Sequence, residues 1–494
     1  DVDVILNLTT GPGARFSPSS ANPGKASANS QMCSPEKRVE HVLELKPDIC
    51  SLDVATMNRK SHVFLNSPDH LNVMADYIRK ANVKPEIEVF DTGHILNAKK
   101  MIDDGLIAEP PFFQFCLGVD YGAPAGATTL VIEGLAAVAL IKDDEFRWKW
   151  AALKGDCPWA TSFQGCDFVT TWYRVYGDLY SPVIVRQIDT TGALVGLLTL
   201  AAQHFSGKLV VAGAHQAEYH GWLARPEDGD AFITQALDLL RRDYPYATLT
   251  FKTLPPNIPV GWLDTPSPWS GLALKRRHKR PLLEFGDGKS IAASLKKKSN
   301  KSRLNRLKRL GKLEFREIHT LGEFDSVFDQ IADQYDFRQG AVNASVPFRE
   351  DPLKKTFLRE LMQHPGVLHV SALMLEDTPI AAVIANRETD NVSVGVFSHS
   401  PFYAKHSPGK FHLLFLGAAL SEQGFSSLDL TPGGAWKDRF ATTFDEVLEV
   451  TVHFSSAAAR RARWVVALEA VASKMLNRVS IKPETIRALP AKFE

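Results

Sequence analysis

The sequence predicts an α/β fold whose two parts differ in organisation. Residues 1 to about 135 alternate strand-like and helix-like segments, which is typical of a parallel sheet. From about residue 140, helical segments are followed by consecutive strands joined by short turns, as in antiparallel sheets. The composition, 45% hydrophobic and 23% charged over 494 residues, is that of a soluble globular chain with room for about three domains.

The first part, residues 1 to 135, contains about four βα units. Its strand-like runs are DVDVILNLTT, SLDVATM, EIEVFDT and FFQFCLGVDYG, with amphipathic segments between them. Such units build a (β/α)8 barrel, whose chemistry lies at the carboxyl ends of the strands. Those ends carry Thr9, Thr10, Gly11, Met57, Asn58, Glu88, Asp91 and Gly118. Because a barrel needs eight units, we expect an open, partial (β/α)8 barrel that is less stable than the rest and self-associates through its edges.

Four motifs of this part, NLTTGPG, KPDICSLDVATMN, KPEIEVFDTGHI and FFQFCLGVDYGAPA, resemble in order the middle of the β-keto acid cleavage enzymes. The resemblance implies a zinc-dependent TIM barrel that splits a β-keto acid with acetyl-CoA, and it implies that Thr9, Thr10 and Glu88 line a substrate pocket. Because the chain begins inside an apolar segment, we expect the earlier strands of such a barrel to be missing.

The zinc that this family uses has no predicted ligands in the chain. The resemblance implies a His-x-His pair on an early strand and a glutamate on a late one. The sequence contains no His-x-His, and none of its fifteen histidines is spaced i, i+2 or i, i+4 from another. We therefore expect no metal site. His94, in DTGHI, would be the one isolated candidate, and a lone histidine in a βα loop is more often a hydrogen-bonded structural residue.

The second part repeats one order of elements. Helices in 143–177 and the strands SPVIVRQI and ALVGLLTLAAQ, joined by a DTTG turn, form the first copy. Helices in 323–365, three strands between 368 and 401, a glycine turn, a helix and the strand SLDL form the second. This order is that of an acyl-CoA N-acyltransferase (GNAT) core. We therefore expect a tandem GNAT-like fold with lobes at 140–285 and 286–460, and a helical tail at 461–494.

A pattern in the second lobe carries a further resemblance. It comprises Tyr403, Ser407-Pro408-Gly409, Asp429, Gly434 and Lys437 to Phe440, and with SFQGCDFVTTWY upstream it resembles the FemAB-like, BioF2-type acetyltransferases over about 310 residues. The resemblance implies transfer of an acyl group from acetyl-CoA or another acyl-CoA to an amine or hydroxyl acceptor, in polysaccharide or envelope assembly.

The turn Ser407-Pro408-Gly409-Lys410 stands before an apolar run and therefore at a helix N-terminus. Free N–H groups and the helix dipole favour an anion there, and Lys410 adds a full charge. We expect the turn, together with Lys437, to bind the pyrophosphate of the donor, although an ordinary capping turn has the same sequence features.

The catalytic group is less defined. Tyr403, His406 and Asp429 are the candidates for proton transfer, and His406 would equally cap the turn. Asp429 lies on a strand where it would face the cleft or pair with Lys437 or Arg439. In the first lobe, Glu218 and its acidic neighbours would repel a phosphate, so that region is expected to shape the acceptor cleft.

A basic run from Lys296 to Lys312 contains nine lysines and arginines and no acidic residue. Leu304, Leu307 and Leu310 fall on one helical face. The run would be a solvated helix face or a contact for the phosphates of CoA or of an anionic envelope precursor. The absence of interleaved aromatic residues argues against nucleic acid, with a tRNA-linked donor as the remaining nucleic-acid alternative.

Other sequence features place the chain in a reducing compartment. Five scattered cysteines without CxxC spacing predict neither a disulfide framework nor a zinc ribbon, and they suit the cytoplasm. No apolar run is long enough for a transmembrane segment. The leading hypothesis is an acyltransferase. Its rivals are a zinc-dependent carbon–carbon lyase formed by the first part, which we expect to be inactive, and a non-catalytic acyl-CoA-binding module.

Overall fold

The computed structural model describes residues 4–123, 126–286, 289–434 and 436–478. The chain divides into two compact units, Asp1–Ala127 and Thr128–Glu494. The elements of the first unit, in chain order, are β1 (Asn7–Thr9), β2 (Ala14–Phe16), β3 (Gln31–Met32), α1 (Pro35–Leu45), β4 (Ile49–Asp53), β5 (Met57–Arg59), β6 (His62–Phe64), α2 (Pro68–Lys80), β7 (Lys84–Val89), α3 (Thr92–Asp103) and β8 (Phe112–Phe115).

The core of the first unit is a parallel sheet in the order β1-β4-β7-β8, and a small antiparallel sheet, β3-β2-β6-β5, accompanies it. Two of its helices begin with Ser-Pro because the serine caps the free N–H groups and proline suits the first helical position. Ser34 accepts from the amide of Lys37, and Ser67 accepts from the amide of His70. The predicted alternation of four strands with three helices is confirmed, whereas its interpretation as a partial barrel stays a prediction.

The second unit is larger and contains the remaining elements. In chain order they are β9 (Thr128–Glu133), α4 (Gly134–Lys142), α5 (Asp144–Asp156), α6 (Cys166–Val175), β10 (Tyr180–Ile188), β11 (Leu194–Gln203), β12 (Leu209–Val211), β13 (Leu223–Ala224), α7 (Gly229–Asp243), β14 (Thr248–Phe251), β15 (Ala273–Glu284), α8 (Lys289–Lys296), α9 (Lys298–Lys308), β16 (Leu313–Ile318), α10 (Leu321–Asn343), α11 (Pro347–Glu350), α12 (Leu353–Leu361), β17 (Leu368–Leu375), β18 (Thr378–Arg387), β19 (Asn391–His399), α13 (Pro408–Glu422), β20 (Ser427–Asp429), β21 (Thr443–His453) and α14 (Ser456–Arg478).

Two sheets organise the second unit. The smaller has the order β12-β11-β10-β9, with β13 also paired to β11. The larger has the order β14-β21-β15-β20-β19-β18-β17-β16. All pairs in the larger sheet are antiparallel except β19 and β20, which α13 connects. Their register covers only Asn391–Ser427 to Ser393–Asp429, and β19 continues to His399. The two parallel strands therefore separate beside the start of α13.

The strand pairing differs from the domain boundaries that the sequence predicted. The strand β9 pairs with β10, so residues after Ala127 belong to the second unit and not to a first part that ends near 135. The strands β14 and β15 pair with β21 in the larger sheet, so the boundary predicted at 285/286 does not separate two sheets. Strand pairing over such long sequence separations leaves no local sequence signal. The last helix begins at Ser456, and residues 479–494 of the predicted tail lie outside the described residues.

Candidate active site

The predicted glycine turn is the first turn of α13. Pro408 is the first helical residue, and Ser407 before it has a φ of 56°, in the left-handed region. The carbonyl of Ser407 accepts a hydrogen bond from the amide of Lys410 at 3.1 Å. No side chain caps α13 within the described residues, so the alternative of His406 as a cap is not supported. The first amides of this buried helix remain available to an anion.

A cavity of about 450 Å³ lies at this turn, which we call the donor cavity. Its cationic lining consists of Arg303, Arg338, Lys410 and Arg439. Among the described residues that line it, none carries a carboxylate. Several like charges around one space raise the local concentration of anions and lower the cost of bringing a phosphate there. The charge of the cavity therefore favours an anionic ligand.

Part of the lining of the donor cavity is aromatic. Phe397 of β19 stacks on Trp436 with ring centroids 4.9 Å apart. Arg338 lies over both rings, 5.2 Å from the centroid of Phe397 and 4.8 Å from that of Trp436, and donates to the Phe397 carbonyl at 2.7 Å. Burial lowers the pKa of Arg338. These cation–π contacts hold the guanidinium of Arg338 at the cavity.

Gly409 packs against β19 rather than against empty space. A Cβ at this position would lie 2.8 Å from Cζ of Phe397 and 3.2 Å from Cδ2 of His399. The glycine is therefore required for the close approach of helix and strand. From the sequence, we explained Gly409 by the close approach of a pyrophosphate. The structure adds a packing requirement between α13 and β19, which holds whether or not a ligand is bound.

The basic helix α9 lies beside the glycine turn. The Nζ of Lys410 donates to Oδ1 of Asn300 at 2.9 Å, and Arg303 donates to Oγ of Ser407 at 3.4 Å. On the apolar face of the run, Leu307 is fully buried, whereas Leu310 is 53% exposed. Because α9 supplies Arg303 to the donor cavity, the basic run is more than a solvated helix face.

Tyr403 and His406 lie in a short 3-10 turn, Pro401–His406, that leads into α13. Both are half-buried, and Tyr403 packs on the hydrophobic core of the second lobe. Between them Ala404 lines the donor cavity. Neither Tyr403 nor His406 is among the described residues that line this cavity.

Both carboxylate oxygens of Asp429 accept hydrogen bonds inside the second unit. One carboxylate oxygen accepts from the hydroxyl of Tyr219 and from Arg280 at 3.2 Å, and the other accepts from the amide of Thr431 at 2.7 Å. Burial raises the pKa of Asp429, and the Arg280 charge opposes that shift. Its partner is Arg280 of β15 and not Lys437 or Arg439, the partners that the sequence offered. No local sequence pattern could identify this pair, because Arg280 and Asp429 are 149 residues apart in the sequence.

Lys437 stabilises the loop after β20. Its Nζ donates to the carbonyl of Thr431 at 2.9 Å, to Oγ1 of Thr431 at 3.0 Å and to the carbonyl of Pro432 at 3.2 Å. Burial lowers its pKa to about 8, against the opposing charge of Glu218. With three acceptors for its three protons, Lys437 positions the loop, and its Nζ lies 5.9 Å from the ring centroid of Trp436, which lines the donor cavity.

A second cavity, of about 530 Å³, reaches the other part of β19, and we call it the acceptor cavity. It is lined by Gly395 and Val396, which directly precede Phe397, a residue that lines the donor cavity. Glu218, which the sequence assigned to an acceptor cleft, lines it as well. So do two residues that the sequence did not single out, His215 and Asp351, whose Nε2 and Oδ2 are 2.9 Å apart. The same strand, β19, therefore borders both cavities.

Of the residues predicted in the first unit, Glu88 belongs to a pair of neighbouring carboxyl groups. Thr10 is buried and donates to the carbonyl of Ser51 at 2.9 Å, whereas Thr9 is exposed. Burial and the neighbouring charge of Asp53 raise the pKa of Glu88 to about 7. Burial also raises the pKa of Asp53, and its hydrogen bond with Glu88 opposes this. Asp53 and Glu88 are partners in the register of β4 and β7, so each carboxyl group disfavours ionisation of the other.

No group of three possible metal ligands occurs in the part of the chain that the structure describes. At the carboxyl ends of the parallel strands, Asp53 and Glu88 bind each other and no histidine joins them. His94 accepts from the amide of Phe90 at 3.1 Å, which is the structural role expected of it. These residues do not fit a zinc ion, whose sites use three or four protein ligands.

Two family models match the chain. The β-keto acid cleavage enzyme family matches residues 1–161, which extends past the first unit into β9, α4 and α5. The acetyltransferase (GNAT) domain family matches residues 295–465, which include α9, α13 and the donor cavity. Each model covers about a third of the sequence.

Curated relatives match the N-terminal region. A 3-dehydrocarnitine:acetyl-CoA trimethylamine transferase of Rhizobium meliloti is 36% identical over 160 residues, which are 31% of this chain and 50% of that protein. A 3-keto-5-aminohexanoate cleavage enzyme of Acetoanaerobium sticklandii is 37% identical over 97 residues, 19% of this chain and 35% of that protein. The chain therefore spans half or less of the length of these relatives.

Solved structures are similar to this chain only distantly. L-PGS from Bacillus licheniformis covers 66% of this chain with 96% of its own length, at 11% identity and a TM-score of 0.40. A tandem GNAT protein from the clavulanic acid biosynthesis pathway covers 66% with 99% of its own length, at 13% identity and a TM-score of 0.38. From the two family matches, the chain carries an N-terminal β-keto acid cleavage enzyme domain and a C-terminal GNAT-type acetyltransferase domain.

Proposed function

We propose that the second unit transfers an acyl group from acyl-CoA, such as acetyl-CoA, to an amine or hydroxyl of a small acceptor. The observation that carries this proposal is the donor cavity, which combines the start of α13 with four cationic side chains inside the region matched by the acetyltransferase family. A pyrophosphate is the anionic part of CoA that such a cavity would hold.

The donor residues have distinct roles in this proposal. The first amides of α13, Ser407 and Lys410 bind the pyrophosphate, and Gly409 lets α13 approach β19. Arg303 and Arg439 add charge at the cavity. Lys437, predicted to bind the donor, acts instead through the loop that it holds.

The acyl transfer follows ordinary thioester chemistry. The acceptor nitrogen or oxygen attacks the thioester carbonyl, the carbon–sulfur bond breaks, and CoA leaves as the thiol after taking up a proton. A base must accept the proton that the acceptor loses. Tyr403 and His406 remain candidates on the donor side, and His215, oriented by Asp351, is a candidate on the acceptor side. Asp429, whose oxygens already accept three hydrogen bonds, positions Tyr219 and Thr431.

We further propose that the first unit is not an independent lyase. The paired carboxyl groups of Asp53 and Glu88 and the structural His94 supply no zinc site between them. Metal analysis of the purified chain should find no stoichiometric zinc, and one tightly held zinc per chain would contradict this. The setting in polysaccharide or envelope assembly stays a prediction of the sequence resemblance, as does the cytoplasm. No helix in the described ranges is long and apolar enough to cross a membrane.

The proposal is tested by two measurements on the full chain. Calorimetric titration with acetyl-CoA should show binding, and a mixture of small amines and alcohols should then release CoA thiol from acetyl-CoA. Binding without thiol release, and with thermal stabilisation, would favour a non-catalytic acyl-CoA-binding module. Absence of binding would contradict the proposal itself.

A further inference from the structure

The acceptor cavity is lined by aromatic rings and by a few charged groups. Its aromatic residues include Phe163, Tyr176, Tyr335 and Phe357. A volume of about 530 Å³ suits one small molecule. Because Gly395 of β19 lines one end, a ligand here would approach the strand that also borders the donor cavity.

Each carboxylate of this cavity already has a partner. Glu218 pairs with Lys252 at 3.2 Å, and Glu350 accepts from Oγ of Ser345 at 2.7 Å. Asp351 accepts from the hydroxyl of Tyr176 at 2.6 Å. It also accepts from the side-chain amide of Gln216 at 2.6 Å and contacts Nε2 of His215 at 2.9 Å.

Lys354 differs from these groups. Lys354 lines the cavity, and among the described residues no hydrogen bond and no ion pair within 4.0 Å involves its ammonium, although the carboxylates of Glu218 and Asp351 act on it from farther away. Its Nζ lies 5.4 Å from the ring centroid of Phe348 and 5.9 Å from that of Tyr335. Burial lowers the pKa of Lys354, and the more distant carboxylates of Glu218 and Asp351 offset this only in part. An anion that enters the cavity would therefore recover part of the cost of burying this charge.

We propose that the acceptor is an amine that also carries an acid group, a carboxylate or a phosphate, and that Lys354 binds this acid group. The amine end then lies toward His215, the candidate base that Asp351 orients. The aromatic walls hold the apolar stem between the two ends. This inference rests on the proposed acyl transfer and adds the substrate class.

The test compares amines that differ only in the acid group. CoA release from acetyl-CoA is measured with L-lysine and cadaverine, L-phenylalanine and phenethylamine, and L-serine and ethanolamine, and with O-phosphoethanolamine as the phosphate-bearing form of ethanolamine. At least one acid-bearing amine should exceed its acid-free partner about tenfold or more in kcat/KM, the scale of a hydrogen bond to a charged group. Preference for L-serine or for O-phosphoethanolamine separates carboxylate from phosphate.

Variants then assign the preference to one residue. Lys354→Met should abolish the ratio within a pair, mainly by raising KM for the acid-bearing amine, and Lys354→Arg should restore part of it. Lys355→Met is the matched control, because Lys355 pairs with Asp329 outside the cavity at 2.7 Å and should keep the ratio. Urea unfolding checks that all three variants fold.

Three results would overturn the inference. The first is equal or faster turnover of the acid-free amines. The second is a preference that survives in Lys354→Met, and the third is a panel in which no acid-bearing amine is bound or acylated. Failure of acetyl-CoA to bind at all is a different outcome, which would contradict the proposed acyl transfer and not the choice of acceptor.

Discussion

The ammonium of Lys410 donates a hydrogen bond to Oδ1 of Asn300 at 2.9 Å and so joins the first turn of α13 to the basic helix α9. Asn300 is 2% exposed, and the contact as a whole is part-buried. The glycine turn and the basic run, two features that are about a hundred residues apart in the sequence, therefore border one cavity. This proximity connects the two anion-binding signals of the sequence.

Replacing Lys410 by alanine should weaken acetyl-CoA binding by about 1–3 kcal/mol, because a charge-assisted hydrogen bond to the donor is lost. The loss should shrink at high salt, which screens the partly exposed charge. Calorimetric titration at low and high salt measures both effects. Lys405→Ala, at an exposed position of the preceding turn, is the control. Equal affinities of wild type and Lys410→Ala would show that the turn is only a cap.

Replacing Gly409 by alanine should destabilise the second unit by about 1–3 kcal/mol, since a Cβ 2.8 Å from Phe397 forces helix and strand apart. Acetyl-CoA affinity should fall with it, because Phe397 borders the donor cavity. Urea unfolding followed by tryptophan fluorescence reports on this unit, as all nine tryptophans lie after residue 127. Gly322→Ala, whose Cβ meets nothing within 4 Å, should leave both properties unchanged.

Replacing Arg280 by methionine should cost about 3–5 kcal/mol of stability, because it leaves the buried carboxylate of Asp429 without its cation. Arg277→Met removes a neighbouring arginine of the same strand that is 72% exposed and pairs with Glu446, so its cost should stay below about 1 kcal/mol. Adding Asp429→Asn to Arg280→Met should recover part of the loss. Similar unfolding midpoints for the two arginine variants would contradict this account.

The stability of the first unit should fall as the pH rises from about 4.5 to about 7. Burial raises the pKa of Glu88 to about 7, so the folded state binds a proton that the unfolded state has already released in this range. Hydrogen exchange, converted to opening free energies for peptides of residues 4–123, should show lower values at neutral than at acidic pH, and lower values than in the second unit. Glu88→Gln should flatten the dependence. A first unit that gains stability toward neutral pH would contradict the assignment.

The sequence predicted those parts of the fold that depend on local patterns. The Ser-Pro starts of α1 and α2 and the Ser-Pro-Gly start of α13 are short-range signals, and each stands where a helix begins. The alternation of strands with helices in the first unit is equally local.

The missed features depend on distant residues. The strand β15 contains the run KRRHKR, which has little apolar character, and it becomes a central strand only because β21 and β20 pair with it. No local pattern identifies Arg280 as the partner of Asp429 or brings Arg338 to Trp436. The charged groups of the acceptor cavity come from segments near residues 215 and 351, and their proximity is a property of the packed unit.

The most direct test of the central claim, that acyl-CoA binds in the donor cavity, is a calorimetric titration of matched double variants with acetyl-CoA. Arg303→Met with Arg439→Met removes two charges that line the cavity, and Lys308→Met with Lys405→Met removes two exposed charges nearby that do not. The account predicts a loss of affinity of about a hundredfold for the arginine pair and about twofold or less for the lysine pair. Equal losses in the two variants, or wild-type affinity in the arginine variant, would contradict it.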